Sequence, residues 1–200
     1  MIGVDGGNLR KLANNPGGVV YPLISPDAQT LVFSGASSGV YSLPLKPSPG
    51  APAELPGTRT DGQSFQAMCW SPDGKRLAGT GVFASGRSGG VAVYDLVAHT
   101  LATISTDETS GVRWFADSRR MMYFTKNGTE LVVLDAVSHA RTVVDVRLPA
   151  PATHDFFAVA PDNRTIYYGA ARSEADIWIM PYLEFDVPAG TAKGIEKFYK

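Results

Sequence analysis

The feature that most constrains the fold of this chain is a short aspartate-centred motif that recurs at a nearly constant spacing. Its four copies occupy residues 23–33, 69–79, 114–124 and 159–169. The aspartates at their centres, which follow one another at intervals of 46, 44 and 45 residues, are Asp27, Asp73, Asp117 and Asp162. A period of this length, kept over successive intervals, indicates a chain built from repeated structural units.

The residues that flank each aspartate keep the same register. A bulky apolar residue stands three positions before it and another four positions after it, as Trp70 and Leu77 do around Asp73. Proline presets φ at the first central position of a turn, and aspartate accepts hydrogen bonds from its own downstream backbone. The motif therefore predicts a tight turn between two apolar strands, and Ala116, which replaces the proline in the third copy, is compatible with it.

Further strand-like segments follow each turn. A set rich in β-branched and aromatic residues lies at 39–45, 90–96, 130–136 and 176–182, and a weaker set at 51–57, 100–105 and 140–146. The pair Asn127-Gly128 is a strong hairpin signal between two of these strands. We find no segment with helical periodicity. Four strands per unit of this length predict an all-β chain, a β-propeller of about four four-stranded blades, as a partial or a small ring.

The second copy of the motif carries a family resemblance. Residues 70–78 read W-S-P-D-G-K-R-L-A and are followed by a strand at 91–96. This pattern resembles the TolB-type, WD-repeat-like β-propellers of bacteria, and the resemblance covers about residues 1–182. The Gly-His and Trp-Asp signatures of true WD repeats are absent. The resemblance implies a propeller fold and a non-catalytic scaffold outside the cytoplasm, in the periplasm or cell envelope.

The repeat also divides the chain into blades. We expect the outer strands of a preceding blade, four blades and a C-terminal tail, all within one propeller domain, at residues 1–14, 15–57, 58–105, 106–147, 148–183 and 184–200. Residues 8–13 could complete the last blade and close a ring of four. The alternative that we prefer is the C-terminal piece of a propeller with about six to eight blades.

Composition excludes several classes of partner. With 18 basic and 19 acidic residues the net charge is -1, so no basic face for nucleic acid is expected. Hydrophobic residues make up 44% of the chain, which argues against disorder. No apolar run is long enough for a membrane helix, and the start lacks a signal-peptide pattern, so we expect no membrane insertion by this chain.

Residues that could carry catalysis or bind a metal are explained better by the repeat. His99 and His139 each follow a strand aspartate by four positions, so they occupy equivalent turns of two blades, too far apart to share an ion. Cys69 is the only cysteine, which excludes an intramolecular disulfide, and it lies inside an apolar strand, where a thiol acts as a small hydrophobe. We find no nucleophile elbow, phosphate-binding loop, zinc motif or calcium loop. The sequence therefore predicts no catalytic residue, cofactor or metal.

A binding surface is the remaining candidate. In a propeller, the connections between blades and those from the second to the third strand of each blade lie on one face, which we call the loop face. Mixed charges on irregular loops over a rigid ring suit partner binding, although ordinary solvated loops look the same. The candidate partner-binding residues are Arg59, Asp61, Arg87, Asp107, Glu108, Arg113, His154, Asp155, Arg172 and Glu174.

The favoured function is a non-catalytic propeller that binds a protein, peptide or glycan on this face. Residues 173–180 (S-E-A-D-I-W-I-M) are similar to the last blade of propellers that form the sensory half of bacterial serine/threonine kinases. That resemblance implies a larger protein with its catalytic half upstream. One alternative is the substrate-gating propeller of a prolyl-oligopeptidase-like or tricorn-like peptidase. Another is a stand-alone enzyme that uses Arg113, His154 and Asp155 at the channel.

Overall fold

A computed structural model gives the architecture of the chain, and its described residues contain fifteen strands and no helix. Every strand pairing in it is antiparallel. The structure describes residues 7, 9, 11–12, 18–35, 39–46, 50–83, 85–109, 111–125, 128–146, 148 and 150–170.

The first sheet has four strands, each paired with the next along the chain: β1 (Val19–Ile24), β2 (Thr30–Gly35), β3 (Val40–Pro44) and β4 (Ala53–Glu54). The second sheet has five: β5 (Arg59–Thr60), β6 (Gln63–Trp70), β7 (Arg76–Phe83), β8 (Ser88–Asp95) and β9 (Thr100–Ser105). The extra strand differs from the expected four per blade. It arises because Asp61-Gly62, with φ of 114° at Gly62, forms a tight turn that pairs Thr60 with Gln63 ahead of the main strand.

The third sheet again has four strands: β10 (Arg113–Trp114), β11 (Arg120–Phe124), β12 (Leu131–Asp135) and β13 (Arg141–Val144). The described part of the fourth contains β14 (Ala152–Val159) and β15 (Ile166–Ala170). A hydrogen bond from the amide of Gly128 to the carbonyl of Thr125 (2.7 Å) closes the hairpin between β11 and β12, and Asn127 lies outside the described residues.

These sheets are arranged as the blades of a β-propeller, so the predicted all-β propeller fold is confirmed. Adjacent sheets meet through β1, β6, β10 and β14, since β1 contacts β6, β6 contacts β10 and β10 contacts β14. Residues 176–182, the expected third strand of the last blade, lie outside the described residues. Of residues 8–13, only 9, 11 and 12 are described, so ring closure by this segment stays a prediction.

The predicted aspartate turns are confirmed in all four sheets. In each one the carboxylate accepts a hydrogen bond from the backbone amide two residues downstream, at 2.9–3.1 Å, as Asp73 does from Lys75. The residue that follows the aspartate has a positive φ in every copy: Ala28, Gly74, Ser118 and Asn163. The turn thus joins β1 to β2, β6 to β7, β10 to β11 and β14 to β15, and the aspartate stabilises it by a local hydrogen bond.

Apolar contacts between adjacent blades hold the sheets together. Val32, Val40 and Leu55 of the first sheet pack against Phe65 and Tyr94 of the second. Two similar clusters join the second sheet to the third and the third to the fourth. The second and third sheets each pack against a neighbour on both faces, so their strands carry apolar residues on both sides. Burial of each such side chain is worth about 1.5–3 kcal/mol.

One glycine is required by close packing inside a blade. The pairing of β6 with β7 shifts register between Ala67 and Cys69, which brings the backbone of Gln66 against Gly79. A Cβ added at Gly79 would lie 1.8 Å from the carbonyl oxygen of Gln66. Any other residue at this position would force the two strands apart.

Candidate functional site

The structure describes some of the candidate loop-face residues and leaves others out. Arg59, Asp61 and Arg87 are exposed, and Glu108 is half-buried. His154 and Asp155 lie in β14, but their side chains are outside the description. Arg172 and Glu174 lie outside the described residues altogether. The loop face as a binding surface therefore stays a prediction.

One ion pair joins two of the predicted residues. Arg87, in the loop between β7 and β8, has a guanidinium nitrogen 3.9 Å from a carboxylate oxygen of Glu108, which follows β9. Their side chains are 73% and 41% exposed, so water screens the attraction and it adds little to stability. The pair nevertheless places opposite charges side by side on the loop face of the second blade.

Asp107, also a candidate, is engaged in a network that ties the second blade to the third. Its carboxylate accepts hydrogen bonds from the hydroxyl of Tyr123 and from Nε of Arg141 (2.7 Å). Arg141 also donates to Glu130 at 3.1 Å. The hydroxyl of Ser105 accepts the backbone amide of Asp107 at 3.1 Å. These contacts hold the connection between the two blades against β11 and β13.

The protonation of this network follows from its contacts. Burial opposes ionisation of Asp107, but the hydrogen bonds from Tyr123 and Arg141 outweigh it and lower the pKa of the carboxyl. Burial and the neighbouring carboxylate raise the pKa of Tyr123 to about 12. The hydrogen bond to Asp107 raises the pKa of Arg141 further. Asp107 and Arg141 are therefore an ion pair at neutral pH.

Arg113 lies between the third and fourth blades. Its guanidinium donates to the carbonyl of Val112 at 2.8 Å, and its Cζ lies 5.0 Å from the centroid of the Phe157 ring. Arg113 begins β10, the first strand of its blade, which the propeller topology places beside the expected channel. Its contacts are those of a side chain that packs adjacent blades together.

The two histidines occupy equivalent turns, as the repeat predicts. His99 and His139 have φ values of 54° and 59°, and both are exposed. The carboxylate of Asp95 accepts the backbone amides of Val97 and Ala98, both at 2.8 Å, and Asp135 does the same in the next blade. These aspartates shape the turns. Within the described part of the chain, no three His, Cys, Asp or Glu side chains are grouped as a metal ion would require.

Cys69 is buried between the second and third blades. Its Sγ lies 3.2 Å from the carbonyl oxygen of Val112, and burial raises the pKa of the thiol to about 12. The thiolate, which is the nucleophilic form, is therefore scarce at neutral pH. This environment agrees with its interpretation as a small apolar residue of the strand.

The structure also reveals a cleft that the sequence analysis missed. It lies between the first and second blades, on the face that carries the aspartate turns, and its volume is about 670 Å³. Two carboxylates and several apolar side chains line it. The lining consists of Ser25, Pro26, Asp27, Thr30, Val32, Ser42, Leu55, Trp70, Pro72, Asp73, Gly74 and Leu96.

The signal for this cleft is present in the repeat. Arginine stands three positions after the turn aspartate in the second and third copies, at Arg76 and Arg120, whereas the first copy has Thr30. Ser118 and Asn163 follow the aspartate in the third and fourth copies, whereas the second has Gly74. Both of these smaller residues line the cleft.

Comparison with known proteins identifies the fold. No protein-family model matches the chain, and no curated protein matches it. TolB from Acinetobacter baumannii is similar in structure, with a TM-score of 0.67 and 16% identity over 86% of this chain and 43% of that one. A putative TolB from Agrobacterium tumefaciens has a TM-score of 0.62 and 19% identity over 84% of this chain and 60% of that one.

An enzyme shares the same architecture. An oligogalacturonate lyase in complex with manganese has a TM-score of 0.66 and 14% identity, over 84% of this chain and 49% of that one. The chain thus spans less than two thirds of the length of each of these proteins. At such identities the likeness shows the fold alone, which is the TolB-type β-propeller. Among the described residues, no helix is long and apolar enough to cross a membrane.

Proposed function

We propose that this chain is a non-catalytic β-propeller module that binds a protein, peptide or glycan partner on its loop face. The observation that carries the proposal is the exposure of charged side chains in connections that the propeller topology assigns to one face. Arg59 and Asp61 precede the main strand of the second blade, and Arg87 lies in a loop of the same blade. Irregular loops on a rigid scaffold are where binding residues concentrate.

The frame supports this use of the loops. Buried apolar clusters join each sheet to the next, so a loop substitution on the surface leaves the packing of the blades intact. Arg87 and Glu108 offer both signs of charge within 3.9 Å of each other. A partner with a complementary pattern of charges gains orientation and a faster association rate from such a surface.

We further propose that the module belongs to a larger bacterial protein outside the cytoplasm, such as the sensory half of a serine/threonine kinase. Two observations support a larger protein. The chain spans 43% and 60% of the two TolB proteins. Residues 173–180 also resemble the last blade of kinase-linked propellers. The location outside the cytoplasm rests on the resemblance to TolB-type propellers.

The loop face is tested by affinity capture from an envelope extract of the source cells. The double variant Arg59→Ala/Arg87→Ala removes two exposed charges from this face, and Lys75→Ala/Arg164→Ala removes two from the exposed residues of the aspartate turns. We expect the first variant to recover about tenfold less of the partners, equivalent to about 1.4 kcal/mol, at an unchanged melting temperature. Equal recovery by both variants would overturn the loop-face proposal.

The size of the native protein tests the proposal that this chain is part of a larger protein. An antibody against this segment, used in an immunoblot of the source cells, should detect a band several times larger than 21.3 kDa, the mass of this chain. A band at the mass of the chain itself would overturn the larger-protein proposal while leaving the loop face to be judged by the capture experiment.

A further inference from the structure

An arginine bridges the second and third blades on the aspartate-turn face. One guanidinium nitrogen of Arg76 lies 3.9 Å from a carboxylate oxygen of Asp73, and the same nitrogen donates a hydrogen bond to the carbonyl of Ser118. The Cζ of Arg76 lies 4.9 Å from the centroid of the Trp114 ring. A carboxylate, a carbonyl and an aromatic face thus surround the guanidinium, and all three are groups that it binds well.

The same three receptor groups recur one repeat earlier, without the arginine. The residues equivalent to Asp73, Ser118 and Trp114 are Asp27, Gly74 and Trp70, and the residue equivalent to Arg76 is Thr30. All four equivalents line the cleft between the first and second blades. The cleft therefore contains the repeat's groups for holding a guanidinium, whereas its own chain supplies a threonine at the position of the arginine.

Gly74, which stands where the third copy of the repeat has Ser118, leaves the cleft open. Between the second and third blades, the hydroxyl of Ser118 accepts the backbone amide of Asp73 at 2.9 Å and closes the contact between the two turns. Gly74 has no side chain to do this, and a Cβ added there would meet Pro26 at 4.0 Å. The cleft between the first and second blades has a volume of about 670 Å³.

The charges of the cleft favour a cation. The hydroxyl of Ser25 (2.6 Å) and the amide of Gln29 lower the pKa of Asp27. Burial opposes ionisation of Asp73, but hydrogen bonds from Ser71 and the backbone outweigh it and lower its pKa. Both carboxyls are therefore ionised at neutral pH. Arg76, 3.9 Å from Asp73, already offsets one of these charges, and Lys46 acts on Asp27 from outside the cleft. Among the described residues that line the cleft none is a lysine or an arginine, so Asp27 supplies the negative charge for an occupant.

The walls of the cleft suit the rest of an arginine side chain. The half-buried Leu96 and the small exposed part of Leu55 provide apolar surface at the cleft, whereas Val32 is fully buried and contributes none. Long basic side chains bury their methylene stems along such surface while the charged end reaches polar partners. A lysine has a stem that is one methylene longer, and its ammonium group is not planar and cannot both stack on an indole and present a fork of donors.

We propose that this cleft binds an arginine side chain of a protein partner, with the guanidinium over the Trp70 ring, beside the carboxylate of Asp27 and within reach of the Gly74 carbonyl. The occupant takes the place that Arg76 fills at the next interface. This site lies on the face opposite the loop face, so the inference goes beyond the proposed function and does not depend on it.

The test uses a blocked tripeptide, N-acetyl-Gly-Arg-Gly-amide, titrated into the ¹⁵N-labelled chain. The readouts are the assigned indole N–H signal of Trp70 and the backbone amide signal of Gly74. We expect saturable shifts of both signals, with a Kd at least about tenfold lower than that of the citrulline tripeptide, a neutral analogue of similar shape. Equal affinity for the citrulline or lysine tripeptide, or no saturation up to about 10 mM arginine tripeptide, would overturn the proposal.

A pair of matched variants locates the binding. Thr30→Arg places an arginine in the chain itself where the repeat has Arg76, and we expect the saturable shifts to be lost. Thr165→Arg makes the same change at the equivalent position of the fourth sheet, where Thr165 is exposed, and should leave binding unchanged. Retention of binding by Thr30→Arg refutes the site. The loop-face variant Arg59→Ala/Arg87→Ala should bind the arginine tripeptide normally, which separates this result from the test of the proposed function.

Discussion

The four aspartate turns impose the same backbone conformation on four different residues, which makes the effect of a substitution predictable. The residue after the aspartate has a φ of 56° at Ala28, 73° at Gly74, 54° at Ser118 and 57° at Asn163. In this left-handed region a Cβ lies close to the following carbonyl oxygen, which costs about 1–2 kcal/mol. Glycine avoids this cost, so we expect Ala28→Gly to stabilise the chain.

The magnitude follows from two opposing contributions. Relief of the backbone strain gives about 1–2 kcal/mol. The greater freedom of glycine in the unfolded chain subtracts about 0.4–1 kcal/mol, which leaves a net gain of about 0.5–1 kcal/mol. With an unfolding entropy of about 2.1 cal/mol/K per residue over 200 residues, the melting temperature should rise by about 1–2 °C.

The reverse substitution provides a second measure of the same strain. A Cβ added at Gly74 would lie 4.0 Å from Pro26 Cδ, which is an ordinary van der Waals distance, so Gly74→Ala introduces the strain without a steric clash. We expect it to lower the free energy of unfolding by about 0.5–1 kcal/mol.

Urea unfolding and scanning calorimetry measure both changes. Ala98→Gly is the control, because Ala98 is an exposed turn residue that is not among those with positive φ, and it should be neutral or destabilising. If Ala28→Gly lowers the free energy of unfolding as much as Ala98→Gly does, relief of left-handed strain at Ala28 does not outweigh the entropy cost of glycine. That result would refute the prediction.

Two further predictions concern Asp107 and Cys69, which lie between the second and third blades. Because its folded-state pKa is lowered, Asp107 stabilises the fold fully above its unfolded pKa of about 4 and loses this contribution as pH falls through the folded pKa. Asp107→Asn should therefore be destabilising at pH 7 in urea unfolding, with a deficit that shrinks as pH falls below about 4; a deficit constant down to pH 3 would contradict this. The Cys69 thiol, whose pKa burial raises to about 12, should not react with a disulfide reagent at pH 8 until urea unfolds the chain; rapid reaction of the native protein would contradict its burial.

Much of the fold could be predicted because the signals that encode it are local. The turn at Asp73 needs a proline before the aspartate and backbone amides just after it, all within a few residues. The same local pattern repeats around Asp117, where the proline is replaced by Ala116. A period of about 45 residues then specifies the blade, because a propeller is built from one repeated unit. The short strand β5 was missed because its two residues carry no periodicity.

The contacts of the candidate residues could not be predicted from the sequence, because they join residues far apart in the chain. Asp107 lies on the predicted loop face, but its carboxylate binds Arg141, 34 residues away, and this partner has no signature in the sequence. Arg113 was placed near the channel, and the structure adds its packing over Phe157 of the next blade. The roles of these side chains depend on which blade lies beside them.

The cleft between the first and second blades shows what the sequence determines by itself and what only the tertiary structure decides. Thr30 and Gly74 are visible in the sequence as departures from the repeat, and the sequence alone determines that they differ from Arg76 and Ser118. Only the tertiary structure shows that Arg76 crosses to Trp114 of the following blade, so that the same departures one repeat earlier leave an open place beside Trp70. Turn chemistry acts over a few residues along the chain, whereas the contents of a cleft are decided by the packing of one blade against the next.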